Sequence, residues 1–303
     1  MKNSTATFGI DSVKGVVPPI ATPIVSDETV DEKGMRRLVN YLLNNGVHCI
    51  FVMGGTGEFF TFPDREKQRA IEIVVDEVNK KVPVIAGVTD LSTRRTIDNS
   101  HVAQQAGANF LASLPPFFFS MDQNWIENFY MELAGETDLP ILLYNILNPV
   151  HTNIKPETVR RLSEHPKIVG IKDSEDYAHL QEIVFMTKGS EFKVLDGLES
   201  HFYAALNVGA AGGVLSASNF CPKLCCDIYN KTMAGDNEGA LRLQSRLNSL
   251  LSELQGFSSW WGVVKTCLSI LGICSNAVTQ PVPTCTSEER KRLTKIMKRY
   301  DLL

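Results

Sequence analysis

The sequence predicts an α/β protein, an eight-stranded (β/α)8 TIM barrel with a C-terminal helical extension. Short β-branched, apolar runs alternate with longer segments of helical period, and Pro, Gly, Asn or Asp separate them. Several runs, such as residues 47–53 and 141–143, are apolar almost throughout, which suits parallel strands buried on both faces. The alternation continues from residue 15 to residue 234 without a linker, which favours a closed barrel over an open doubly wound sheet. The 303 residues would allow one large α/β unit or two medium domains. The unbroken alternation places a barrel catalytic domain at 1–234 and the helical extension at 235–303.

In chain order, strands are expected at 15–23, 47–54, 82–87, 108–114, 140–145, 168–172, 192–197 and 213–218, each a short apolar run stopped by turn-forming residues. Between them, 32–44, 64–80, 93–106, 124–135, 155–164, 177–188 and 200–208 carry apolar residues at helical spacing and serve as crossovers. Helical patterns at 222–234, 237–255, 260–271 and 287–299 follow; the first closes the barrel and the rest form the extension. Ser287, after Pro281 and Pro283 and before Glu288 and Glu289, reads as the N-cap of the last helix.

Thirty Lys and Arg against 34 Asp and Glu give a net charge of −4, with no basic block, so nucleic acid is not an expected partner. The seven cysteines are odd in number and lie largely in apolar runs, which suits reduced thiols in the cytoplasm better than a disulfide framework. The first residues contain no apolar leader, and no run reaches the ~18 apolar residues needed to span a bilayer, so no membrane partner is expected. The six histidines form no His-x-x-x-His pair and no Cys-x-x-Cys occurs, so no metal site is expected. Cys221, Cys225 and Cys226 read as buried thiols on one helix.

In such a barrel, catalytic groups belong at the C-terminal ends of the strands. The sixth strand ends Gly170-Ile171-Lys172-Asp173-Ser174. A lysine there is partly desolvated, which disfavours its ammonium form and leaves an amine able to attack a carbonyl. The bland reading is a lysine that snorkels to solvent or pairs with Asp173. The fifth strand delivers Tyr144 to the same rim one strand away, where its phenol could relay protons; a tyrosine at a strand end also serves as an amphipathic plug. After the second strand, Gly54-Gly55-Thr56-Gly57-Glu58 allows a sharp turn whose N–H groups could hold a carboxylate. Pro115 to Phe119 brings aromatic side chains to this rim, to line a pocket, meet a subunit or fill the core.

Gly-Gly-Thr-Gly-Glu after the second strand, Leu-Tyr-Asn after the fifth and Gly-Ile-Lys-Asp-Ser after the sixth resemble the dihydrodipicolinate synthase/N-acetylneuraminate lyase superfamily, with a match over almost the whole chain. The resemblance implies a pyruvate-dependent class I aldolase that needs no metal or organic cofactor. Lys172 would form the Schiff base, Tyr144 would relay protons, and Gly55 and Thr56 would hold the pyruvate carboxylate. Gly197, Glu199 and Leu215 fall at substrate-binding positions, Leu215 in a Leu-Ser-Ala-Ser segment one residue shorter than usual. A homotetramer is implied.

Departures from the family pattern bear on the substrate. Gly55 stands where many members carry a hydroxyl residue, Pro149 where the synthases carry an arginine for aspartate semialdehyde, and Phe118 where they lend a tyrosine to a neighbouring subunit. A proline at 149 removes a charge-assisted contact of about 1.5–3 kcal/mol. The remaining pattern is similar to the 2-keto-3-deoxygluconate aldolase branch, so the expected reaction splits a 2-keto-3-deoxy sugar acid into pyruvate and an aldehyde. The alternatives are 4-hydroxy-tetrahydrodipicolinate synthase, which joins pyruvate to aspartate semialdehyde, a keto-deoxy sugar acid dehydratase, and a keto-acid sensor without turnover.

Overall fold

The computed structural model describes residues 8–146, 150 and 152–303. Eight parallel strands form one sheet: β1 Gly15–Val17, β2 Ile50–Val52, β3 Val84–Gly87, β4 Phe110–Ser113, β5 Ile141–Asn145, β6 Ile168–Asp173, β7 Lys193–Asp196 and β8 Gly212–Val214. The order runs β1-β8-β7-β6-β5-β4-β3-β2. A parallel bridge between Pro19 and Phe51 closes the remaining gap between β1 and β2. There the Phe51 N–H donates to the Pro18 carbonyl and the Ile20 N–H to the Phe51 carbonyl, each at 2.9 Å. The sheet is therefore a barrel, as the unbroken alternation predicts.

The strands are shorter than the apolar runs that contain them. The first pairs only over Gly15–Val17 because Pro18, Pro19 and Pro23 have no N–H to give a ladder. Apart from the first residue of β7 and the last of β3, every strand residue is buried, which explains the continuous apolar runs.

The crossovers are α1 Glu32–Asn44, α2 Asp64–Val78, α3 Thr93–Ala106, α4 Gln123–Glu136, α5 Pro156–Leu162, α6 Tyr177–Met186 and α7 Phe202–Val208. Asp31, Ser92, Asp122 and Asp176 cap four of them by accepting an N–H from the first turn, each such cap being worth about 1 kcal/mol. Helix α8, Pro222–Met233, follows β8, and α9 Asn237–Glu253, α10 Trp260–Ile270 and α11 Ser287–Arg299 lie beyond the barrel. The cap of α11 is Thr286 rather than Ser287. Its hydroxyl accepts the Glu289 N–H while the Glu289 carboxylate accepts the Thr286 N–H, a reciprocal pair that Ser287, one residue later, could not complete.

All seven cysteines are buried free thiols. Burial pushes those of Cys49 and Cys226 up to about 12, which keeps them un-ionised. No helix among the described residues is long and apolar enough to cross a membrane.

Candidate active site

Strand register brings the two leading candidates together. β5 and β6 pair with Tyr144 opposite Lys172 and Asn145 opposite Asp173. Because side chains alternate faces along a strand, the first pair points into the barrel mouth and the second away from it. Lys172 Nζ stands 4.0 Å from the centroid of the Tyr144 ring. Both side chains are enclosed, Lys172 at 7% and Tyr144 at 4% exposure. The bland alternative, a Lys172 paired with Asp173, is not what the strand geometry gives, because neighbours on a strand point to opposite faces. Asp173 instead accepts from Asn145 Nδ2 at 2.7 Å and meets His179 Nδ1 at 3.0 Å.

One strand further, Asp196 repeats this arrangement with His201 Nδ1 at 3.1 Å. Burial pushes the Asp196 pKa up, against the opposing pull of His201. Burial also works against the two imidazolium ions, but the hydrogen bonds to Asp173 and Asp196 outweigh it, and both histidines titrate above their ordinary value. Glu175 and Asp176 lie in the same acidic surroundings. A raised histidine pKa contributes stability that is complete below about pH 6.5 and is lost as pH rises through the folded-state values. The melting temperature should therefore fall from about pH 6 to about pH 8, and the double substitution His179→Gln, His201→Gln should flatten that slope. An unchanged slope would show that the pairs do not change charge on unfolding.

The turn after β2 is a single 3-10 turn, Gly55–Gly57. It uses the N–H groups of Gly57 and Glu58 for its own carbonyls, which leaves those of Gly55 and Thr56 as the candidates for an anion. A side chain at 55 would begin 3.3 Å from the Tyr144 hydroxyl, so Gly55 keeps the space beside the phenol open. Thr56 Oγ1 and Ser216 Oγ share a hydrogen bond of 2.8 Å. Trp260 Nε1 donates to Ser216 Oγ and Trp261 Nε1 to the Gly55 carbonyl, each at 2.8 Å. The extension thus reaches over the barrel and holds the turn from outside.

Glu58 ends that turn in the left-handed region, φ 60°, with its side chain buried. Its carboxylate meets Lys265 Nζ at 2.8 Å and accepts the Thr279 N–H at 2.8 Å and hydroxyl at 2.7 Å. Lys265 also donates to the Ala277 carbonyl. This buried ion pair ties the turn to α10 and to the segment before α11.

These elements enclose a cavity of about 650 Å³ lined by Lys172, Tyr144, Gly55, Thr56, Gly197 and Glu199, with Ser174 and Ser216 among its polar groups. A Cβ at Gly197 would lie 2.8 Å from the Asp173 carbonyl, which is backbone and cannot swing aside, and 2.0 Å from Ser174 Oγ, so a side chain there would force the strand end to shift. The Glu199 carboxyl accepts the Ala217 N–H at 2.9 Å, and burial pushes its pKa up. Glu199 and Trp260 also line an adjoining cavity of about 340 Å³.

Leu215 is not brought to the larger cavity. It is fully buried, its carbonyl accepts from Ser218, and its neighbours Val214 and Ser216 line the wall instead. β8 ends at Val214, so the next residue turns to the opposite face. Of the aromatic run, Phe117 lines the cavity while Phe118 is 83% exposed. Pro149 lies outside the described residues. Trp260, Trp261, Phe59 and Phe60, which also line the cavity, were not expected from the sequence. The only signal in the chain was the adjacent tryptophan pair at a helix start, and nothing local says that this helix folds over the mouth.

The Dihydrodipicolinate synthetase family model matches residues 12–300. A 4-hydroxy-tetrahydrodipicolinate synthase of Geobacter sulfurreducens is 33% identical over 291 residues, covering 96% of this chain and 99% of that one. The same-named protein of Thermus thermophilus is 33% identical over 297 residues, covering 96% and 97%. Among solved structures, a prophage protein of the dihydrodipicolinic acid synthase family from E. coli K12, in complex with pyruvate, superposes with a TM-score of 0.92 at 26% identity, covering 96% of this chain and 99% of that one. These relatives carry the synthase name, so the expected nearness to the 2-keto-3-deoxygluconate aldolase branch gives way to a place among the synthases. With the model matched along nearly the whole length and relatives above 30% identity across it, the chain belongs to the dihydrodipicolinate synthetase family, as a Schiff-base-forming, pyruvate-dependent class I carbon–carbon lyase.

Proposed function

We propose that Lys172 is the residue that holds pyruvate as a Schiff base and that the enzyme joins it, reversibly, to the carbon of an aldehyde. The observation that carries this reading is the register of β5 and β6, which sets a buried amine over a tyrosine at the floor of the cavity. The amine adds to C2 of pyruvate and water leaves. The resulting iminium makes a C3 proton acidic, and its loss gives an enamine that attacks the aldehyde carbon. Tyr144 moves protons at the carbinolamine and at the new hydroxyl. The N–H groups of Gly55 and Thr56, with the Thr56 hydroxyl, hold the carboxylate, and Gly197 keeps the backbone beside Lys172 close enough to wall the pocket.

The barrel to residue 234 and the extension after it act here as one catalytic unit, since Trp260 and Trp261 complete the wall. A homotetramer is part of the proposal, and exposed Phe118 and Phe119 are apolar surface that a subunit contact would cover.

Between the two partners weighed from the sequence, the relatives' name favours aspartate semialdehyde over a 2-keto-3-deoxy sugar acid. Incubation with pyruvate and borohydride should add a pyruvate-derived mass to the peptide carrying Lys172, and its absence overturns the mechanism. The kcat/KM for pyruvate with aspartate semialdehyde should exceed that for 2-keto-3-deoxygluconate cleavage; the reverse order restores the sugar-acid reading.

A further inference from the structure

The two tryptophans that fold over the barrel donate toward one residue, Thr56. They are the first two residues of α10, whose start is fixed by Ser259: its hydroxyl accepts the Gly262 N–H at 3.0 Å and donates to the Pro283 carbonyl at 2.7 Å. An indole nitrogen donates and never accepts, so the direction of both tryptophan bonds is set. Trp260 gives its proton to Ser216 Oγ and Trp261 gives its own to the Gly55 carbonyl. Ser216 is held on the barrel in turn, its carbonyl accepting from Asn219 Nδ2, which also donates to the Pro19 carbonyl. A hydroxyl has one proton, and a carboxylate only accepts. Once Thr56 gives its proton to a carboxylate, the 2.8 Å bond between Thr56 and Ser216 persists only with Ser216 donating. Protons then point one way, from the Trp260 indole through Ser216 to Thr56 and on to the anion. On the backbone side, the Gly55 carbonyl belongs to the same peptide unit as the Thr56 N–H. It accepts from both Trp261 and the Glu58 N–H, and bonds to a carbonyl polarise the N–H of its own peptide.

We propose that Trp260, Trp261 and Ser216 are positioning residues that make Thr56 a double donor selective for an ionised carboxylate. Trp260 acts through the Ser216 hydroxyl and Trp261 through the Gly55–Thr56 peptide. The inference rests on the reading that pyruvate is held on Lys172 with its carboxylate at this turn. It assigns to the extension a share in choosing the keto compound, which is to be a 2-oxo acid as its anion rather than an ester or amide. A packing role is the structural alternative, since Trp261 lies edge to face with Phe60 at 5.7 Å and Trp260 with Phe220 at 6.4 Å between centroids. Packing alone would serve a charged and an uncharged ligand equally.

The test uses the full-length enzyme with pyruvate and methyl pyruvate, which share the ketone and differ in whether the carboxyl is ionised. Cyanoborohydride traps the iminium, and intact mass gives the concentration of each compound at half-maximal adduct. The readout is the ratio of apparent affinities, pyruvate over methyl pyruvate, because damage to packing weakens both alike and leaves the ratio unchanged. Trp260→Phe and Trp261→Phe keep an aromatic ring and delete the N–H. Each should lower the ratio about three- to tenfold, the scale of one neutral hydrogen bond. In a Ser216→Ala background, Trp260→Phe should lower the ratio no further, whereas Trp261→Phe should keep its effect. An unchanged ratio in either single variant overturns the role of that residue. A full effect of Trp260→Phe without Ser216 overturns the path through that hydroxyl. Thr56→Val in the same assay separates the levels. An unchanged ratio there overturns the placing of the carboxylate at this turn, and no pyruvate adduct in the unsubstituted enzyme overturns the Schiff-base reading itself.

Discussion

Lys172→Ala should fold, bind no pyruvate covalently under borohydride, and lose turnover by about 10⁴-fold or more, the scale on which removal of a nucleophile falls. Folding should survive because, among the described residues, Lys172 makes no ion pair that its loss would leave half-occupied, and its amine lies against the face of Tyr144. Tyr144→Phe separates the two roles at this site. It keeps the ring beneath Lys172 and removes only the hydroxyl, so the adduct should still form while turnover drops by about 10²–10⁴-fold. Intact-mass measurement after reduction, set beside steady-state rates, reads both. If Lys172→Ala retained an adduct, another amine would be the nucleophile.

The second large effect concerns stability. Lys265→Met should cost about 3–5 kcal/mol, because it leaves the Glu58 carboxylate buried without its cation. Glu58→Gln should cost less, since a neutral amide oxygen can still accept from Thr279 while the amine of Lys265 keeps the Ala277 carbonyl. Replacing both members by methionine should recover much of the loss, because the burden of a buried pair lies in its desolvation rather than in its attraction. Denaturant unfolding of the three variants gives these differences. A loss below about 1 kcal/mol for Lys265→Met would place the pair with exposed ion pairs in its energetics.

The barrel and its floor were legible because they depend on local period and on strand register. Alternating apolar runs with turn residues between them give the strands, and a lysine and a tyrosine at the ends of consecutive strands have to meet when those strands pair. Where a strand ends, alternation no longer says which face the next side chain takes. Leu215 follows β8, which ends at Val214, and its side chain is buried away from the cavity that Val214 and Ser216 line. The Asp173–His179 and Asp196–His201 pairs went unread because each joins a strand end to the loop or helix that follows, a contact fixed by loop path rather than by periodicity. The tryptophans went unread for a stronger reason: their partners are Gly55 and Ser216, and no local pattern specifies contacts between such distant segments.

That distance has a consequence for the order of events during synthesis. The Trp261–Gly55 hydrogen bond joins residues 206 positions apart, and the Thr279–Glu58 bond joins residues 221 apart. Closing loops of that length is slow and has to follow the formation of nearer contacts. The turn expected to hold pyruvate takes an early anchor from the Thr22 hydroxyl, which donates to the Gly57 carbonyl, but its bonds to Trp261 and Thr279 wait until almost the whole chain has emerged. A nascent chain can therefore pair Tyr144 with Lys172 before Trp260 and Trp261 are in place, and the cavity wall is complete only when the extension docks.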